Sequence, residues 1–379
     1  MTVWDEVVGQ GDALAPLIAA TESVDAMTHA WLITGPPGSG RSIAARAFAA
    51  ALQCERLGCG ECHACRTSLA GSHADVRLVS TEKVTISVDE VRSLVSHAQS
   101  APSEGRWRVI VLEDSDRMTE RTSNVLLKAI EEPPPRTVWV LCAPSLHDVT
   151  TTIRSRCRVV TLRIPDPEVV ARLLVERDGV EPSLAQECAL AAQSHIGVAR
   201  RLARDPAARQ RREKVLAFAS EIRGVGDAVL AASDLASVAE DDAKEAAAER
   251  DAQELAELYV SLGYETGARL PPTVRSQVRQ LEEDQKRRAT RHRRDVLDRA
   301  LLDLLSLYRD VAVVQTGATV PLVNQAHRER IAGIAGRDDL GETLIRMDAI
   351  GLARERLAGN VAPTLALEAM ALALRPATR

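Results

Sequence analysis

The sequence predicts a doubly wound α/β domain followed by an all-helical half. Two observations carry this reading. Five short apolar runs recur through the first half with helix-compatible segments between them. After Pro165-Asp166-Pro167 the β-branched runs vanish, and Ala, Leu, Arg and Glu at helical spacing continue to the C-terminus.

The five runs are Ala30 to Thr34, Val76 to Ser80, Trp107 to Leu112, Val138 to Cys142 and Val159 to Arg163. Continuous apolarity over so few residues is the mark of strands buried on both faces, as in a parallel sheet. The intervening helices are expected at about Arg41 to Leu52, Val88 to Ala98, Thr119 to Glu132 and Leu146 to Ile153. Ser87 followed by Glu90 forms a capping box, and Pro133 to Pro135 cannot continue the helix that reaches Glu132.

In the second half, the piece up to about Arg212 has the length of a three-helix unit. The remainder places Val296, Leu297, Ala300, Leu301, Leu304 and Tyr308 on one helical face of a larger bundle. Between these pieces, Asp241 to Arg294 is heavily charged and interrupted by Gly263, Gly267, Pro271 and Pro272. Its basic run, Lys286-Arg287-Arg288 with Arg291, Arg293 and Arg294, reads as a solvated helix face or as a DNA-contacting patch. Glu282, Glu283 and Asp284 beside it favour the former.

With 379 residues the chain is long enough for two or three domains. Its 48 basic and 53 acidic residues give a net charge of -5, so no global field draws it onto nucleic acid. The N-terminus lacks a basic patch leading into an apolar core, and no window approaches a membrane span. A soluble, cytoplasmic protein is expected.

Gly35-Pro36-Pro37-Gly38-Ser39-Gly40-Arg41-Ser42 lies between a predicted strand and a predicted helix, the setting of a phosphate-binding loop. The glycines Gly35, Gly38 and Gly40 let backbone N–H groups point inward, the helix N-terminus adds positive potential, and Ser42 is placed to hold magnesium. Arg41 stands where a lysine normally reaches the β and γ phosphates. A planar guanidinium is not equivalent there, so nucleotide binding stays open while phosphoryl transfer is impaired. Glu113-Asp114 ends the third apolar run, where the magnesium-holding and water-orienting carboxylates belong, but in the reverse of the usual order.

Cys54, Cys59, Cys62 and Cys65 form C-x4-C-x2-C-x2-C directly after the phosphate-loop helix. Four thiolates so close in sequence match tetrahedral zinc with no open position, a structural site. His63 within the cluster is a bystander. Cys142, Cys157 and Cys188 are scattered, and reduced thiols fit better than disulfides.

Taken together, Trp4-Asp5-Glu6-Val7-Val8-Gly9-Gln10, the phosphate loop, the four-cysteine module, Asn124 to Pro134 and Ser155-Arg156-Cys157 resemble bacterial clamp-loader AAA+ subunits. The inserted cysteine module is shared by the gamma/tau and delta prime subunits of the DNA polymerase III holoenzyme. The likeness is strong to about residue 205; beyond it, Arg293 to Ala300 and Tyr308 to Val311 resemble the delta prime collar.

The resemblance implies an α/β AAA+ P-loop domain over 1–164, with a parallel five-stranded sheet and a zinc module at 54–65. It implies a helical lid over 165–212 and an all-α collar over 213–379. It also implies a heteropentameric ring with gamma/tau and delta that loads a sliding clamp onto primed DNA. In that ring Arg156 is an arginine finger reaching a neighbour's ATP, unless it is an ordinary ion-paired arginine among Arg154, Arg156 and Arg158. Arg200, in Gly197-Val198-Ala199-Arg200, matches the sensor 2 position, with an exposed helix face carrying Arg201 and Arg204 as the plainer alternative.

The polar sensor 1 residue falls at Ala143 or Pro144. This departure, with Arg41 and the reversed acidic pair, weakens hydrolysis in cis and favours a delta prime subunit over a gamma/tau-like motor. Either would belong to a nucleotidyltransferase complex without polymerase chemistry of its own.

Overall fold

The computed structural model describes residues 2–81, 85–261, 264 and 271–376. The described chain packs as two units, residues 1–203 and 204–379.

In the first unit, strands β1 (Ala30–Thr34), β2 (Val76–Val79), β3 (Arg108–Leu112), β4 (Thr137–Ala143) and β5 (Arg158–Thr161) form one sheet in the order β2-β3-β4-β1-β5. All neighbouring pairs are parallel. Strict alternation divides the strands between two cores. Trp31, Ile33, Val109, Val111, Val138 and Val140 face one core with the helix Arg41–Gln53, and Trp31 meets Phe48 edge to face at 5.3 Å. Leu32, Ile110, Leu112, Trp139 and Leu141 face the other, with the helices Val88–Ala98 and Glu120–Glu131. Because both faces are covered over β1, β3 and β4, these strands are buried throughout, which is why they read as apolar runs, while the edge strands β2 and β5 are partly exposed.

The Ser87/Glu90 capping box is formed, and Thr119 caps the helix that ends at Glu131. The helix expected over Leu146 to Ile153 is instead a 3₁₀ turn, Leu146–Asp148, and a short helix, Thr151–Arg154. Asp148 turns back to the Ser145 N–H at 2.9 Å, and Val149 is extended between the two pieces. The β-branched run from Val149 to Thr152 gives little reason to bridge that break. β5 begins one residue earlier than the expected Val159 and ends at Thr161, where Leu162 and Arg163 leave the sheet. Three helices follow, Pro167–Asp178, Pro182–Ala191 and Ile196–Arg204.

Every regular element among the described residues of the second unit is a helix. Leu297, Ala300, Leu301, Leu304 and Tyr308 are buried in its core, with Val296 packed against them, as the periodicity predicts. The charged stretch lies on two long helices, Val225–Ser261 and Pro272–Thr316, while Gly263 and Gly267 lie outside the described residues. Ion pairs Arg293–Glu240 and Arg288–Asp251 join the two helices in antiparallel register, with His292 3.7 Å from Asp242 between them. Arg287 and Arg291 pair along their own helix, with Glu283 and Asp295. Much of the basic run is therefore answered by acids of this chain.

Candidate functional site

The phosphate loop spans the end of β1 and the start of the helix Arg41–Gln53, whose N-cap is Gly40 at φ +87°. Gly38, at φ +91°, lies under His195, and a Cβ there would stand 2.9 Å from the His195 Cα. Only glycine fits that approach. Gln10 braces the loop from the other side. Its buried amide donates to the carbonyls of Ser39 (3.0 Å) and Arg163 (2.9 Å), and its oxygen accepts from the Arg163 N–H (2.9 Å). The loop is thereby tied to the segment that leaves β5.

Sheet order decides what faces the loop. β4 lies between β1 and β3, so its end at Ala143 stands between the phosphate loop and Glu113-Asp114. The Gly35 N–H donates to the Ala143 carbonyl at 3.3 Å. Ala143 offers no polar side chain at this point, as expected from the sequence.

Arg41 is part-buried and folds back to donate to the carbonyl of Gly35 at 2.5 Å. Burial draws its guanidinium below the ordinary value, against Cys142, Asp116, Asp114 and Asp148, which favour the charged form. Asp116 is correspondingly held above its ordinary value, first by burial and then by the charge of Asp114. Glu113 is bound by Arg46 at 2.7 Å, and Asp114 accepts from the Thr81 N–H at 2.9 Å. Ser42 is half-buried in the first turn of the helix. Asp116 and Asp148 are members of this electrostatic neighbourhood that the motif pattern does not single out.

Arg200 donates to Asp178 at 2.9 Å and lies 3.7 Å from Glu6, which also accepts from Arg177 at 2.6 Å. The helices after β5 are thus tied to the N-terminal Trp4 to Gln10 segment.

Arg156 is exposed in the turn between the helix Thr151–Arg154 and β5. It donates to the Thr152 carbonyl at 2.8 Å and pairs with Glu131 at 2.5 Å. Its neighbours hold backbone carbonyls. Arg154 donates to the Leu146 carbonyl, and Arg158 donates to the Ala26 carbonyl while stacking over Trp31 at 5.2 Å. Of the three arginines, Arg156 is the one that pairs with a carboxylate, and it also donates to the Ser155 hydroxyl at 3.2 Å.

The four cysteines converge. Cys54 ends the helix Arg41–Gln53, and Cys62 caps the helix His63–Ala70, its sulfur accepting from the Cys65 N–H. All four sulfurs lie within 4.8 Å of one another, and Cys54 is 3.7 Å from both Cys59 and Cys62. A tetrahedral thiolate site with metal–sulfur bonds of ~2.3 Å has sulfur–sulfur edges of ~3.8 Å, so the donor set fits a metal ion. Amides of Glu61 and Cys62 draw the Cys59 thiol down to about 6, while burial raises Cys65. His63 is exposed and outside the group.

A parallel sheet of this order, with a phosphate loop after β1, an acidic pair after β3 and helices following β5, defines an AAA+ P-loop fold. Residues 10–166 match the family described as "DNA polymerase III, delta subunit". A DNA polymerase III subunit delta' from Pseudomonas aeruginosa is 35% identical over 169 residues, covering 43% of this chain and 52% of that protein. The delta' subunit from Yersinia pestis is 34% identical over 152 residues, 38% of this chain and 45% of its own length. A subunit gamma/tau from Mycobacterium tuberculosis is 32% identical over 183 residues, 46% of this chain and 32% of that protein. Over this region the chain is similar to bacterial clamp-loader subunits of the delta prime and gamma/tau kinds. The chain covers 32% to 52% of the length of these relatives. Among the described residues no helix is long and apolar enough to cross a membrane.

Proposed function

We propose that this chain is a delta prime subunit of a DNA polymerase III clamp loader, donating Arg156 to an ATP site on a neighbouring subunit. The observation that carries the reading is the contrast between its two arginines. Arg41, in the position of the phosphate-loop lysine, is turned onto its own loop, whereas Arg156 stands exposed, held by the Thr152 carbonyl, the Ser155 hydroxyl and one exposed carboxylate, Glu131. A guanidinium supplied across a seam neutralises charge on the transferred phosphoryl, an effect worth roughly 10³ to 10⁵ in rate.

Under this reading residues 1–164 are the AAA+ domain, 165–212 the lid and 213–379 the collar. The partners are gamma/tau and delta in a heteropentameric ring, acting in the cytoplasm on a sliding clamp and primed DNA. Cys54, Cys59, Cys62 and Cys65 would hold zinc, which would staple the end of the phosphate-loop helix to the helix His63–Ala70. Gly35, Gly38, Gly40, Arg41, Ser42, Glu113, Asp114 and Arg200 keep the layout of an ATP and magnesium site. Arg46 occupies Glu113 and Asp178 occupies Arg200, which supports retention of layout without turnover.

The second reading, a gamma/tau-like motor, draws on the equal likeness to gamma/tau subunits. ATP turnover by the isolated chain separates the two. The delta prime reading expects none above background, and clear turnover would sink it.

A further inference from the structure

We propose that Glu131 is a parking site for the arginine finger, holding Arg156 until a neighbour's triphosphate takes its place. The inference rests on the delta prime reading and adds to it a residue with a positioning role.

Glu131 is the last residue of the helix Glu120–Glu131. Backbone carbonyls give that end of a helix negative potential, so a carboxylate there is unfavourable unless a cation answers it. The described structure supplies that cation from the turn before β5. The Arg156 guanidinium reaches Glu131 Oε1 at 2.5 Å, with its other terminal nitrogen on the Thr152 carbonyl at 2.8 Å. The two side chains are 39% and 43% exposed.

An ion pair this exposed is worth about 0–1 kcal/mol, so it biases the guanidinium without locking it. A triphosphate brought against the same surface carries more charge than one carboxylate and acts in a seam that excludes water, where attraction is stronger. The exchange then runs towards phosphate once the neighbour docks. Before docking, Glu131 keeps Arg156 directed along its own chain. Removing the carboxylate charge leaves Arg156 unrestrained and raises hydrolysis in the resting ring. The gain is limited to about five-fold by the strength of such a pair.

The test uses the assembled complex, with ATP hydrolysis measured with and without primed DNA for the wild type, Glu131→Gln, Glu131→Asp and Arg156→Ala. Glu131→Gln is expected to raise the DNA-independent rate up to about five-fold while leaving the DNA-stimulated rate near that of the wild type. Glu131→Asp, which keeps the charge, is expected to lie closer to the wild type. A merely structural Glu131 would move both rates together. An unchanged or lower DNA-independent rate in Glu131→Gln, with Arg156→Ala still defective, overturns the parking role and leaves the finger standing. Unchanged hydrolysis in Arg156→Ala removes the finger itself. Should Glu131→Gln melt early, Glu131→Ser is read by the same two rates.

Discussion

Arg41 donates to the carbonyl of Gly35, so the residue that should face a nucleotide's phosphates instead closes the loop on itself. A charged hydrogen bond of this kind is worth about 1.5 kcal/mol or more, and a nucleotide must break it. Arg41→Lys, with a compact ammonium, is expected to raise affinity for magnesium ATP by roughly ten-fold. It should not create turnover, because Glu113 remains bound to Arg46 and Ala143 still lacks a polar side chain. Titration with a fluorescent ATP analogue, alongside phosphate release, checks both halves.

The cysteine module yields a prediction about metal. Purified protein is expected to carry about one zinc per chain by elemental analysis, since four thiolates close a tetrahedral site. Chelation, or Cys59→Ser, should lower the melting temperature and loosen the helix His63–Ala70, visible as faster amide exchange there. Acidification should release the metal, because the ligands bind as thiolates and protons compete for them. Retention of full thermal stability after complete metal removal would contradict a stapling role.

Asp75 sets an acid limit on the first unit. It is fully buried, and burial alone would raise its pKa, but N–H groups of Ser103, Gly105 and Glu104 outweigh this and hold it at about 2. Arg108 lies 3.2 Å away. The folded value is below the unfolded one of about 3.9, so the stabilisation is complete above the unfolded value. It is lost as pH falls through that value towards the folded one. Asp75→Asn should cost about 3 kcal/mol or more in urea unfolding at neutral pH, because Arg108 is left buried without its charge partner. The variant should also flatten the stability profile between about pH 4 and 2.

Much of this architecture is legible in the residues, for identifiable reasons. A sheet covered on both faces leaves continuous apolar strands, so Ala30–Thr34 and Arg108–Leu112 stand out without alternation. The cysteine group is equally readable because its four residues fall within one short segment. What escapes is anything created by bringing distant segments together. Gln10 reaches Arg163 only because both flank the same edge of the phosphate loop, and Glu131 meets Arg156 only because a helix end and a turn converge. The charged stretch misleads for a related reason. Arg288 has Asp251 and Glu254 as partners, far away in sequence, so a run that looks open to DNA is partly satisfied within a helical pair. Periodicity alone also joins Leu146 to Ile153 into one helix, which the Ser145 and Asp148 contact interrupts.

The most direct measurement is a cryo-EM structure of the assembled loader holding a non-hydrolysable ATP analogue. The Arg156 guanidinium is expected within hydrogen-bonding reach of the γ-phosphate bound by an adjoining subunit, released from Glu131. A Ser155 to Cys157 turn facing solvent, away from every subunit seam and still paired to Glu131, would contradict it.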